Sequence, residues 1–332
     1  MKAAFFRRHG GTEQIEIGEL PDPEIGPGEV RVRVRAASLN GFDPAILLGT
    51  TELKTPLPMI PLGDCAGDIL EVGAEVEGWA VGDRVCPFPF VIGEGMTGET
   101  RLGVGAEQAR FPAANLIRVP DGVSYEDASC LPIAYGTALR MMHDRGAVRA
   151  GEKILILGAT GGVGVCAIEL AKLAGCTVIA CGSSGWKLEQ LRALGADHVI
   201  DTSRNDFEAE VRRLFGKPRM LGGGGVDVVI NYIGGDTWVK SLRCLARGGR
   251  LLTCGATAGY APAEDIRYIW TFELNLMGSN GWMPQDQVKL LDMVARGELK
   301  PRIHAVRPLE DLAASIQQLI DREVFGKLVI TP

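Results

Sequence analysis

The sequence has no Cys-x-x-Cys pair, no apolar run of membrane-spanning length free of glycine and charge, no surplus of basic residues and only four histidines. Each absence removes a class of function. The eight cysteines, at 65, 86, 130, 166, 176, 181, 244 and 254, fall mostly inside apolar segments, which argues for small buried thiols rather than a disulfide framework or a four-cysteine zinc lobe. Met1 to Arg8 contains no apolar leader stretch, so a cytoplasmic protein off the membrane is expected. Acidic residues outnumber basic ones, 41 to 35, for a net charge of −6, and no basic face invites nucleic acid. His9, His143, His198 and His304 lie far apart and form no ligand-like cluster; His143 and His198 are most simply structural.

What is present is an ordinary folded composition, 46% hydrophobic and 23% charged, over 332 residues, enough for two domains. Residues 1–122 read as mostly β. Val30, Val32 and Val34 alternate with Arg31, Arg33 and Arg35, the period of a strand with one wet face, and Ala66 to Val72 reads as another strand. The glycine- and proline-rich segment 88–105 is expected to be a long surface loop. From 123 to 298 strands and helices alternate, with strands at 153–157, 177–181, 198–200, 226–231, 250–254 and 274–277, which is the pattern of a doubly wound α/β sheet. Residues 299–332 hold a last amphipathic helix and a strand at 327–330, expected to return to the first lobe.

The chemistry is written most clearly between 153 and 164. Lys153-Ile154-Leu155-Ile156-Leu157 reads as a buried strand, and Ala159-Thr160-Gly161-Gly162-Val163-Gly164 is a glycine-rich turn into a helix whose apolar face is Val163, Ala167, Leu170, Ala171 and Ala174. In a βαβ unit that turn binds a dinucleotide. Gly161 lets the backbone approach the pyrophosphate, Gly164 lets helix and strand pack tightly, and the free N–H groups at the helix start take the phosphate charge. Alone, such a hexapeptide also fits any tight turn; the flanking strands and helix favour the nucleotide.

Pro27-Gly28-Glu29-Val30, Val81-Gly82-Asp83-Arg84-Val85, Val119-Pro120-Asp121-Gly122, Gly161-Gly162-Val163-Gly164, Leu194-Gly195-Ala196-Asp197 and Gly326-Lys327 resemble recurring strings of the medium-chain dehydrogenase/reductase superfamily and span nearly the whole chain. The resemblance implies a GroES-like catalytic domain, a Rossmann domain, a cleft between them, nicotinamide-dependent hydride transfer and, usually, a homodimer or homotetramer. It also exposes departures. Where zinc alcohol dehydrogenases of that family place their three catalytic ligands, this chain has Asn40 before Asp43, Gly63 before Asp64, and Ile133. Asparagine, glycine and isoleucine cannot replace cysteine and histidine, so no metal is expected. The chain resembles the zinc-free, quinone oxidoreductase-like branch. The pocket tyrosine and basic residue of that branch are missing from Pro44-Ala45-Ile46-Leu47-Leu48-Gly49, so their roles are not carried over.

An acidic residue at the end of the second Rossmann strand selects NAD; here that position is Gly182, followed by Ser183, Ser184 and Lys187, which suit a 2′-phosphate. NADPH is the expected cofactor, with NADH possible. Lys187 could equally be a solvated residue of the helix's first turn. Tyr232 and Ile233 after the fourth strand and Gly255 and Ala256 after the fifth are placed by the resemblance around ribose and nicotinamide, and Ser279 and Asn280 after the sixth near the carboxamide; each also fits an ordinary strand-end turn.

For catalysis without metal, Asn40 could donate to a carbonyl, Asp43 and Asp64 could orient it or relay a proton, and Tyr135 has a usable hydroxyl. Side-chain hydrogen bonds that merely close a turn are an equal reading for Asn40 and Asp43, and a structural role is the stronger one for Asp64 and Tyr135. Phe42, Phe88, Phe90, Trp270 and Trp282 could line an apolar cleft or belong to the cores. The expected reaction is hydride transfer to an activated C=C or C=O of a small apolar quinone, enone or aldehyde. A metal-free alcohol dehydrogenase and a non-catalytic nicotinamide sensor remain open.

Overall fold

The computed structural model describes residues 1–332. The chain divides into two compact units, Met1–Gly136 with Met283–Pro332, and Thr137–Trp282.

The first unit is built around the strand Glu29–Ser38. The valine–arginine alternation does its work there. Val30, Val32 and Val34 are buried, while Arg31 and Arg35 reach Glu71 and Asp68 on the neighbouring strand, each at 2.6 Å. That strand pairs antiparallel with Asp64–Val72, Gln108–Pro112 and Lys327–Thr331, and the last of these pairs parallel with Ile303–Pro308. The C-terminal segment thus completes the sheet begun at residue 29, as expected.

The second unit carries a six-stranded parallel sheet in the order 198–201, 177–182, 153–156, 226–230, 245–253, 275–278. Its central strands are apolar runs, as expected where a parallel sheet is covered on both faces; Ile154, Leu155 and Ile156 are fully buried. The order reverses between 153–156 and 226–230. The carboxyl ends of those two strands are where an open α/β sheet binds ligands.

Four details differ from the sequence reading. The segment 88–105 is not a plain surface loop, since it contains the hairpin of Phe90–Val91 and Gly95–Met96, and Thr97 and Val104 are buried. The stretch Ser124 to Asp144, whose sequence is helical in bias, is not one helix but a short helix, Tyr125–Ser129, followed by widened π-type turns at Leu131–Tyr135 and Met141–Arg145 around Gly136–Arg140. Pro132, which has no N–H to give, sits in the first of these turns. The strand Ile303–Pro308 went unread because none of its residues is fully buried and its sequence does not alternate. The units also divide at 136 and 283 rather than at 122 and 299. The helix Pro284–Ala295 therefore lies in the first unit, where buried Gln287 donates to the Cys86 carbonyl at 2.7 Å.

Candidate active site

In the first unit the structure gathers Asn40, Asp43 and Asp64 and adds a residue the sequence reading did not single out, Lys327. All four are buried, at 4%, 2%, 0% and 2% exposure. Asn40 follows the strand Glu29–Ser38, Asp43 opens the short helix Asp43–Leu48, Asp64 begins the strand Asp64–Val72, and Lys327 begins the strand Lys327–Thr331. Strand pairing sets Ser38 opposite both Asp64 and Val329, which brings the three segments to one place.

The Asn40–Asp43 turn is closed twice. Asn40 N donates to Asp43 Oδ2 at 2.6 Å, and Asp43 N donates to Asn40 O at 3.1 Å. The turn-closing role is therefore present, and it leaves the Asn40 side chain for other work. Its Nδ2 donates to Asp64 Oδ2 at 2.9 Å, and its Oδ1 accepts from Lys327 Nζ at 2.7 Å. Lys327 Nζ lies 3.6 Å from Asp64 Oδ2, and Asp64 Oδ1 accepts the Ile133 N–H at 3.2 Å.

Burial raises both carboxyls. Asp64 is pushed up to about 6, against the opposing pull of the Lys327 ammonium and the Asn40 amide. Asp43 is pushed up to about 7 by burial, opposed by the Asn40 N–H and Lys327 and reinforced by the charges of Asp64 and Glu99. Asp43 Oδ1 has no partner. Tyr135, the fourth candidate, is completely buried, and its hydroxyl accepts the Arg302 N–H at 2.9 Å, an anchor for the returning segment.

In the second unit the residues fit a dinucleotide. The helix Gly162–Leu173 starts at Gly161 with no side chain capping it, which leaves its first N–H groups to an anion. A Cβ at Gly164 would stand 2.5 Å from the Gly158 carbonyl and 2.6 Å from the Ala159 backbone, so only glycine permits this helix–strand approach. Gly182 carries no side chain, and a Cβ there would lie close to Leu188, at 3.0 Å, and Leu191, at 3.2 Å. Ser183 is exposed and Ser184 half-buried, while Lys187 is folded down, 6% exposed, with its ammonium 5.5 Å from the Trp186 ring centre. Neither the solvated helix residue nor a freely extended cation describes Lys187.

Tyr232 donates its hydroxyl to the Gly158 carbonyl at 2.5 Å, and its acidity is pushed well below that of an ordinary tyrosine, chiefly by burial. Buried Asn231 ties the loop together, accepting from Ile233 N and Gly234 N and donating to Thr237 and Ser241. The loops after the fourth and fifth strands are joined by Thr257 N and Ala258 N, which donate to the carbonyls of Tyr232 and Ile233. Gly255 accepts from Thr253 Oγ1, and Ala256 packs beside Gly234. Ser279 Oγ is buried without a partner, and Asn280 is exposed. Of the aromatic residues, Phe88 and Trp282 are buried, Phe42 packs against the first unit's core, and Phe90 and Trp270 are exposed.

Residues 26–121 match the family model described as an alcohol dehydrogenase GroES-like domain, and residues 162–296 the one described as a zinc-binding dehydrogenase. An acryloyl-coenzyme A reductase of Sulfurisphaera tokodaii is 30% identical over 341 residues, covering 97% of this chain and 98% of that protein. The chain is a medium-chain dehydrogenase/reductase. It is accordingly an oxidoreductase, with a GroES-like domain and a Rossmann-like domain. A quinone oxidoreductase-like protein 2 of Rattus norvegicus is 29% identical over 96% of this chain and 89% of its own length. The crystal structure of an NAD-dependent alcohol dehydrogenase superposes with a TM-score of 0.92 at 36% identity, each chain covered completely.

Members of this medium-chain family that bind catalytic zinc need three donor side chains, and this member does not provide them. A side chain at Gly63 would begin 2.7 Å from the Thr97 carbonyl and 2.9 Å from Ile133 Cδ1, so no ligand fits. The Asn40 oxygen is taken by Lys327. The nearby thiols of Cys65 and Cys86 are driven away from ionisation by burial. No group of three His, Cys, Asp or Glu side chains is arranged to hold a metal. No helix is long and apolar enough to cross a membrane.

Lys327 could have been suspected from the sequence. It is the one charge in the apolar string Val324-Phe325-Gly326-Lys327-Leu328-Val329-Ile330, and a lysine at such a position needs a buried partner.

Proposed function

We propose that the protein is a zinc-independent, NADPH-dependent reductase of activated C=C or C=O bonds in small, largely apolar acceptors such as quinones, enones or aldehydes. The observation that carries this reading is the Asn40 amide, held between Lys327 and Asp64 where related enzymes place a metal ligand. One of its two amide hydrogens goes to Asp64; the other has no partner in the protein and can donate to an acceptor's carbonyl oxygen as charge develops there. Reduced nicotinamide supplies the hydride. Asp43, raised to about 7 and with a free Oδ1, is positioned in charge and hydrogen bonding to hold the proton that completes reduction at the oxygen or the α-carbon.

The second unit binds the dinucleotide through the turn Ala159–Gly164. Ser183, Ser184 and Lys187 serve the 2′-phosphate, the loops at Tyr232, Ile233, Gly255 and Ala256 the ribose, and Ser279 and Asn280 the carboxamide. Gly182, where an acidic residue would repel a 2′-phosphate, carries no side chain, which supports NADPH over NADH. The absent donor set supports catalysis without zinc, and metal analysis of purified protein is expected to find well under one zinc per chain. Buried cysteines suit a reducing, cytoplasmic setting, and neither a nucleic acid nor a membrane is expected as a partner.

Likeness to an NAD-dependent alcohol dehydrogenase favours a second reading, metal-free oxidation of an alcohol. A panel of quinones, enones, aldehydes and alcohols assayed with both nicotinamides separates the two. NADPH oxidation by quinones or enones is expected, together with a raised KM for NADPH but not NADH in Lys187→Ala. Turnover of alcohols with NAD alone would establish the second reading, and tight NADPH binding without any turnover would point to a sensor.

A further inference from the structure

Lys327 has no place in the hydride-transfer chemistry itself, yet it is 2% exposed, and a buried ammonium is costly unless its partners are well arranged. Its separation from Asp64, 3.6 Å, is too long for a direct hydrogen bond, whereas its contact with Asn40 Oδ1, 2.7 Å, is a strong one. An ammonium can only donate and a carboxylate can only accept. The primary amide between them is therefore left a single orientation, with Oδ1 toward Lys327 and Nδ2 toward Asp64. A flip would set NH2 against NH3+ and C=O against a carboxylate. Of the four clustered groups Asn40 is also the most exposed.

We propose that Lys327 is a positioning residue: by dictating the orientation of the Asn40 amide, it keeps the second Nδ2 hydrogen available to the acceptor's oxygen. This rests on the reading of Asn40 as the oxyanion donor. The charge that zinc would supply to a substrate directly is here applied one side chain back, through an amide.

The test uses the full-length protein with NADPH and the best acceptor of the panel. Asn40→Ala is expected to lower kcat by about 100-fold, the cost of one oxyanion donor. Lys327→Met, similar in length but without donors, is expected to lower kcat by about tenfold or more through misorientation while leaving NADPH binding within about twofold. Lys327→Gln, which can still donate to Oδ1 without carrying charge, is expected to recover part of that loss. Undiminished kcat in Asn40→Ala overturns the oxyanion reading. A loss in Asn40→Ala with undiminished kcat in Lys327→Met, or folded Gln and Met variants equally impaired, overturns the positioning role. If Lys327→Met does not fold, the double variant Lys327→Met/Asp64→Asn, which leaves no buried charge unpaired, must show the same fall; wild-type kcat there also overturns the proposal.

Discussion

Gly63 and Gly164 are both closed to a side chain, and the two closures have opposite meanings. At Gly63 the closure keeps out any side chain, a donor included, because Thr97 and Ile133 fill the space. At Gly164 it is the means by which the helix comes down on the Ala159 backbone. Gly164→Ala should therefore cost about 1–3 kcal/mol as an overpacked contact and weaken NADPH binding, read by thermal melting and fluorescence titration. An unchanged melting temperature would show that the turn relaxes freely. Gly164 was legible in the sequence because its spacing from Gly161 reports a backbone need. The partners of Asn40 were not legible, since Lys327 is 287 positions away and nothing local signals the pair.

At the scale of the element, the turn from Asn40 to Asp43 buries one carboxyl almost completely. Burial raises its pKa to about 7, above the ordinary value of 3.8, so the folded state holds that proton more tightly than the unfolded chain. The sign follows. The group costs nothing below about pH 4, the cost grows as pH rises toward 7, and it is constant above that. Lys327, Asp64 and Glu99 are the charges acting on it. Asp43→Asn, whose side-chain oxygen can still accept the Asn40 N–H, should gain stability relative to wild type as pH rises from 4 to 8. Melting curves across that range check this, and a constant difference would contradict it. The regular elements of the second unit were largely readable, because its central strands are continuous apolar runs and the helices between them carry an apolar face. The half-buried strand Ile303–Pro308 and the π-type turns after Cys130 were not, because neither carries a period.

For the whole molecule, the strand Asn275–Gly278 ends the second unit's sheet with one edge unpaired and Leu276 41% exposed. An open edge of that kind invites pairing with a second copy of the chain. We propose a homodimer formed through it. Leu276→Lys is expected to shift light-scattering mass in solution toward the 35.5 kDa monomer, and a monomeric wild type would refute the proposal. The fold class and the order of the domains could be read from recurring strings along the chain. Their boundaries could not, because the helix Pro284–Ala295 belongs to the first unit through a tertiary contact, Gln287 with Cys86.

That first unit is threaded from both ends of the chain, and this bears on its birth at the ribosome. Residues 29–72 emerge early but lack the strand Lys327–Thr331 until residues 327–331 have been made. The second unit, 137–282, is continuous and can fold in the interval. Until residue 327 emerges, Asp64 lacks its lysine and the Ala37–Ser38 end of one edge of the strand Glu29–Ser38 stays open, although Gln108–Pro112 can already cover residues 29–33. The cluster of Asn40, Asp43, Asp64 and Lys327 is therefore completed after the second unit. A nascent chain stalled between 283 and 326 should already bind the dinucleotide while remaining a client for chaperones that recognise open strands.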